Sequence, residues 1–362
     1  MWIRYSGDRS LIEAIDHLTL HAMDIQQHIS LKPYHTFGIN VTARQMASFP
    51  DRETLEELLA AVPGTPRLIL GGGSNILFTK DFDGIVLRNE IKGIDVVAED
   101  DDYVYVRAGA GENWHGFVLY CIDRQLAGVE NLSLIPGCVG ASPMQNIGAY
   151  GLEIKEVFQE LEAFHLEDGR IERFTLNDCG FGYRESVFKR KYKDQFVILN
   201  VTFRLRRKPV FHTTYGAIEQ ELERMGVRDL SIKAISDAVI HIRSTKLPDP
   251  RKIGNAGSFF KNPTVGAEQY KELHEKFPEM PGYPGVGGAM KLAAGWMIEQ
   301  CGWKGYRKGD AGCHERQALV LVNYGNATGE EIYDLSEEIL RSVQSKFGVS
   351  LEREVNIIHE SI

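Results

Sequence analysis

The sequence predicts a mixed α+β protein built from more than one folding unit. Three observations carry this. The chain has 362 residues, more than one ordinary core, so about two or three domains of roughly 100–200 residues each are expected. Short strand-like runs separated by turns dominate residues 28–208. Helical stripes become prominent only beyond about residue 229. A hydrophobic share of 43% and a charged share of 25% suit globular domains rather than disorder.

Residues 1–28 form an N-terminal extension with a weak helical pattern at Leu11, Ile12, Ile15 and Leu18 and no evident chemistry. Arg67 to Leu70 is a compact apolar strand ending in three glycines; Ile76–Phe78 and Gly84–Leu87 follow, and Val104 and Val106 alternate with Tyr105 and Arg107. Trp114, Val118, Cys121 and Ile122 share one helical face. Leu161 to Phe174 reads as a hairpin turning at Asp168-Gly169, and Phe196 to Leu205 as a long strand. Ser231 precedes a helical stripe of Ile232, Ile235, Val239 and Ile242. Residues 246–290 read as a loop-rich stretch, which at this length is more often functional than idle. A helix from Leu292 to Cys301 and a strand from Ala318 to Val322 come next. Thr328 and Glu331 have capping-box spacing ahead of Ile332, Leu335, Ile339, Leu340 and Val343. The last element is a strand from Leu351 to Ile358.

Several functions are disfavoured. A net charge of −9 argues against a broad nucleic-acid surface. The five cysteines form no CxxC pair, and no Cys/His set has the spacing of metal ligands, so neither a disulfide framework nor a metal is expected. Polar residues interrupt the N-terminal segment too often for a signal-peptide core, and no run of about 18 apolar residues suggests a membrane helix. A cytoplasmic location follows as the expectation.

Two glycine segments stand out. Gly71, Gly72, Gly73, Ser74 and Asn75 lie between two strands, with neither the helix that a Rossmann fingerprint requires nor the Lys-Ser/Thr of a P-loop. What remains divides evenly between a tight turn and a nest of backbone N–H groups for phosphate oxygens. Residues 135–151 carry Pro136, Gly137, Gly140, Ser142, Gln145, Asn146 and Gly148 among apolar neighbours. The segment reads either as a cradle for a large ligand or as a structural Ω-type loop.

Single residues are weaker. Arg184, among glycines and aromatics, reads as a partly enclosed guanidinium paired with Glu185 or with a substrate carboxylate. Ser258, between Gly257 and two phenylalanines, is a candidate proton donor or an exposed turn serine. Glu354 shares a strand face with Glu352 and Asn356, a pattern that more often marks solvent. Lys246 is either a phosphate contact or a lysine favoured by a helix C-terminus.

HTFGIN (35–40), GGGSN (71–75), IPGCVGASPMQNIGAYG (135–151), FGYRES (181–186), STKLPDP (244–250), GNAGSFFKNP (254–263), KLAAGWMIEQCG (291–302) and LEREV (351–355) occur in this order. Together they resemble the UDP-N-acetylenolpyruvoylglucosamine reductases of bacterial peptidoglycan precursor synthesis, over about residues 29–358. The resemblance implies an FAD-binding fold of the vanillyl-alcohol-oxidase (PCMH) type at 29–208, in two subdomains of about 29–95 and 96–208. It also implies a substrate-binding domain at 229–358 whose last strand returns to the active site. NADPH would reduce a noncovalently bound FAD, and the hydride would pass to the enolpyruvyl double bond to give UDP-N-acetylmuramate. By motif, Ser258 is the proton donor, and Arg184 and Glu354 stabilise charge developing beside the substrate carboxylate. Glu354 can do so only as a donor, which requires it to be protonated in the complex.

The resemblance further assigns the two glycine segments and Arg243 to FAD. Tyr183, Tyr215, Lys246, Asn262 and Gln317 fall to the UDP-sugar, with Tyr215 marking the subclass whose tyrosine loop folds over the substrate. A monomer without metal is implied. Two rival readings remain: a flavoenzyme of this fold with another substrate, and a noncatalytic nucleotide-sugar binding protein.

Overall fold

The structure, a computed structural model, describes residues 24–215 and 217–359. The helical pattern at Leu11 to Leu18 lies outside the described residues. The first sheet orders its strands Gln26–Ser30, Thr42–Phe49, Phe82–Asn89 and Arg67–Leu70, the first pair antiparallel and the rest parallel. Phe82–Asn89 is buried along most of its length because both of its faces are covered. One face, with Ile85 and Leu87, meets Leu55 and Leu58 of the helix Arg52–Ala61. Asp51 caps that helix by accepting from the Thr54 amide. The other face, with Phe82 and Val86, shares a core with the C-terminal residues Phe259, Phe260, Leu321 and Ile332.

A second sheet, all antiparallel, runs Ile171–Thr175, Phe158–His165, Phe196–Arg206, Tyr103–Gly109 and Ile94–Glu99. The helix Trp114–Asp123 lies on it, and Trp114, Phe117 and Phe203 form an aromatic cluster. Residues 135–151 form no long element. Short 3₁₀ turns at Val139–Ala141 and Pro143–Gln145 are tied down by Val139 N donating to Glu112 O and Gly140 N to Ala110 O. The irregular backbone is therefore satisfied locally.

In the C-terminal half, Gly254–Ser258, Val320–Asn323, Ala311–Cys313 and Arg307–Lys308 form an antiparallel sheet. The helix Gly329–Phe347 covers it with Ile332, Leu335, Ile339, Val343 and Phe347. Thr328 and Glu331 form the expected capping box, and Gly348 ends the helix at φ 67°. Helices Ala217–Arg224 and Ile232–Lys246 pack together through Ile218, Leu222, Ile235 and Val239.

Three expectations change. The stretch 246–290 contains the helix Ala267–Lys276, whose polar surface leaves only Leu273 buried and so shows no stripe. Met290–Leu292 is a strand, and the following helix runs Ala294–Gln300. The last strand is confined to Asn356–Ile358, paired in parallel with Ile76–Phe78. Before it, the chain follows a different partner: Lys261 N donates to Glu352 O and Glu354 N to Phe259 O. The backbone changes partners between Glu354 and Asn356, whose amide donates to Asn75 O.

Candidate active site

The two glycine segments face each other across a narrow gap. A Cβ on Gly72 would lie 2.7 Å from Gly137 Cα. One on Gly73, at φ +60°, would lie 2.1 Å from the Tyr34 carbonyl oxygen. Neither position admits a side chain without moving backbone. Ser74 Oγ donates to Pro136 O at 3.1 Å and fixes the gap. Gly71 to Asn75, Pro136, Ser142, Gln145, Gly148 and Arg243 line one open cleft of about 310 Å³. That lies within the roughly 300–1,000 Å³ of a small-molecule site. A neighbouring cavity, lined by Gly140, shares Ile69, Gly71, Cys138, Ala141 and Met144 with the cleft, so the two form one groove. Asn146 is fully buried beneath the cleft, at φ 45°, and donates to Gly182 O and Glu153 Oε2.

Arg184 and Glu354 meet in the same cleft although 170 positions apart in sequence. Arg184 Nε donates to Glu354 Oε1 at 2.9 Å, and Nη2 to Gly148 O at 2.7 Å. The side chains are only 18% and 12% exposed, so the pair is largely desolvated. Arg184 sits in the left-handed region at φ 55°, in a tight turn bridged between Gly182 and Glu185. Glu185, the sequence's alternative partner for Arg184, instead binds Arg190 and Lys261, each at 2.8 Å. Those two cations hold the Glu185 carboxyl down at about 2, with Arg190 contributing most. Glu354, which alternation would place in solvent, is largely enclosed where the chain changes partners beside it.

Ser258 ends the strand Gly254–Ser258 and lines the cleft. It gets there by a bulge. The register with Val320–Asn323 shifts between Asn255 and Ser258, and Gly257 takes φ +70°. Asn255 Oδ1 accepts from Gly257 N and holds the bulge.

The five residues assigned to the UDP-sugar are placed less directly, and none of them lines the cleft. The Tyr183 ring lies 3.3 Å below Lys291 Nζ and 5.3 Å from the Arg184 guanidinium. Burial pushes its hydroxyl above the ordinary range, with Arg184 opposing. Asn262 Oδ1 accepts from Ala294 N, and Gln317 Oε1 from Leu319 N. Lys246 is exposed at the end of its helix. Tyr215 is 59% exposed, edge-on to Tyr150 at 6.2 Å.

Two lysines went unassigned in the sequence. Lys189 lines the cleft and donates to Arg184 O at 3.5 Å, and burial holds its pKa below the ordinary value. Lys291 is lowered likewise, by burial first and then by Arg184. Both lie in or beside quoted motifs, but nothing in the spacing marks them. Among the described residues no cluster of His, Cys, Asp or Glu could hold a metal.

A nest of glycines between strands, a second glycine wall and an adjoining groove suit a phosphate-bearing ligand. Residues 51–175 match the FAD binding domain, which makes the chain a flavin-dinucleotide-binding α+β protein. The solved structure of 4-ethylphenol oxidase from Gulosibacter chungangensis is 12% identical, with a TM-score of 0.50 over 91% of this chain and 84% of that one. The fold is thus of the vanillyl-alcohol-oxidase type. Residues 249–358 match the UDP-N-acetylenolpyruvoylglucosamine reductase C-terminal domain. The chain is 52% identical to UDP-N-acetylenolpyruvoylglucosamine reductase of Amoebophilus asiaticus, covering 93% of this chain and 100% of that one. It is 49% identical to that of Pseudomonas aeruginosa, covering 93% and 99%. UDP-N-acetylenolpyruvylglucosamine reductase from Thermus caldophilus matches in fold, at 24% identity and a TM-score of 0.65 over 92% of this chain and 99% of that one. The chain belongs to the UDP-N-acetylenolpyruvoylglucosamine reductase family.

Proposed function

We propose that the protein reduces the enolpyruvyl double bond of UDP-N-acetylenolpyruvoylglucosamine to give UDP-N-acetylmuramate, with NADPH as donor and a noncovalent FAD. The observation that carries this is the meeting of Arg184, Glu354 and Ser258 in one cleft beside the glycine nest. The bare backbone of Gly71 to Asn75 along the cleft suits a pyrophosphate held by N–H groups, and the adjoining groove leaves room for the rest of a dinucleotide. Residues 29–208 would hold FAD and 229–358 the UDP-sugar.

A bound flavin supplies the hydride. The chain supplies what remains. Adding hydride to the terminal alkene carbon leaves negative charge on the carbon next to the substrate carboxylate, spreading into an enediolate. Arg184 presents a fixed cation against that charge in a largely desolvated cleft, where it acts more strongly than in water. Glu354, once protonated, donates a hydrogen bond to it. Ser258 delivers the proton that completes reduction at that carbon. Tyr183, Lys246, Asn262 and Gln317 would hold the UDP-sugar, and Tyr215 would fold over it. The site is assembled from one chain, which supports action as a monomer, and the free cysteines suit the cytoplasm.

Ser258→Ala tests the assignment by separating two half-reactions. Flavin reduction by NADPH should proceed at the native rate, while reoxidation by the enolpyruvyl substrate slows by roughly 10²–10⁴-fold. Equal slowing of both halves would remove Ser258 from the protonation step.

A further inference from the structure

The hydrogen bonds around Glu354 have only one permitted polarity. The Glu354 backbone carbonyl can only accept, so the Asn75 side-chain nitrogen must face it, at 3.2 Å. The same nitrogen donates to Gln145 Oε1 at 2.8 Å. With its oxygen engaged, the Gln145 amide must turn its nitrogen to Glu354, donating to Oε1 at 3.2 Å. Arg184 Nε, which cannot accept, donates to the same oxygen at 2.9 Å. Glu354 Oε1 thus receives two N–H groups, and a proton placed there would meet a donor on each side. Oε2 has no hydrogen-bond partner among the described residues.

From this chain we infer that Gln145 is a positioning residue for the reaction, locking Glu354 so that its proton sits only on Oε2, free to face the substrate. The glycine nest and the acid are coupled through it, since Asn75 belongs to the nest. The inference rests on the reading of Glu354 as a protonated donor.

Gln145→Met removes one donor from Oε1. Gln145→Glu keeps the acceptor for Asn75 but sets a carboxylate against Oε1, drawing the proton to the wrong oxygen. A lost donor and an added anion both favour the protonated carboxyl. The alkaline limb of the substrate-driven reoxidation rate should therefore move to higher pH in both variants, further in Gln145→Glu. The reoxidation rate at the optimum, measured per bound flavin, should fall roughly a hundredfold. Glu354→Gln is run beside them. The Glu354→Gln amide donates at every pH, so its alkaline limb should vanish; a vanished limb there with native rates and limbs in both Gln145 variants overturns this inference alone. An alkaline limb unchanged in Glu354→Gln overturns it together with the assigned role of Glu354. Loss of flavin from both Gln145 variants would make the residue a cofactor contact and overturn the inference. If only Gln145→Met loses flavin, the limb of Gln145→Glu decides.

Discussion

His35 lies directly behind the glycine nest, and lowering the pH should loosen that support. The ring is 6% exposed, with Nε2 at 3.1 Å from Ile39 O and Nδ1 buried without a partner. The Ile39 carbonyl accepts, so Nε2 carries the hydrogen and the ring is neutral. Burial depresses its pKa from 6.5 to about 4. A histidine with a lowered folded pKa binds more protons when unfolded, so stability is full above about pH 6.5 and is lost as pH falls toward 4. At about pH 5 the unfolded ring is nearly all protonated and the folded ring about one-tenth, a loss of about 2 kcal/mol, rising to about 3 kcal/mol below pH 4. Thr36 N donates to Gly73 O at 3.0 Å, so opening around His35 reaches the nest itself. His35→Gln keeps a donor for Ile39 and cannot titrate. Urea unfolding at fixed FAD concentration should show wild type losing about 2 kcal/mol more than the variant between about pH 7.5 and pH 5. Parallel losses in the two proteins would refute the buried neutral imidazole.

Other outcomes follow from the same geometry. Gly73→Ala places a Cβ 2.1 Å from Tyr34 O at φ +60°, so the protein should fold yet emerge from gel filtration without flavin absorbance; full flavin content would show that the nest tolerates the shift. Arg184→Met removes the fixed cation from the cleft, and substrate-driven flavin reoxidation should fall by roughly 10²–10³-fold with flavin content retained. A native rate would exclude Arg184 from charge stabilisation.

Where local chemistry dictates structure, the sequence is readable. Arg67–Leu70 running into Gly71 and out through Ile76–Phe78 is a strand–loop–strand in both. Thr328 and Glu331 reach each other within one helical turn, and the Asp168-Gly169 turn is closed locally, Gly169 N donating to His165 O. Glu354 is the opposite case. Its alternation with Glu352 and Asn356 describes a strand with one partner, whereas the backbone leaves Phe259–Lys261 and takes up Asn75–Phe78 beside it. The helix Ala267–Lys276 hides because a single buried leucine makes no stripe. Lys189 and Lys291 gain meaning only from Arg184 and Tyr183, which folding brings to them.

The pairing of Asn356–Ile358 with Ile76–Phe78 also bears on how such a protein can be recombined. A breeder of chimeras would cut between the flavin half and the C-terminal half and exchange the pieces. That cut separates two strands paired from opposite ends of the chain, and with them Asn75 from the Glu354 carbonyl, 279 positions away. A grafted half would import an acid whose register is set by a strand it left behind. The transferable module is therefore not a contiguous stretch of gene. It is the C-terminal half together with residues 71–78, inherited as a matched set.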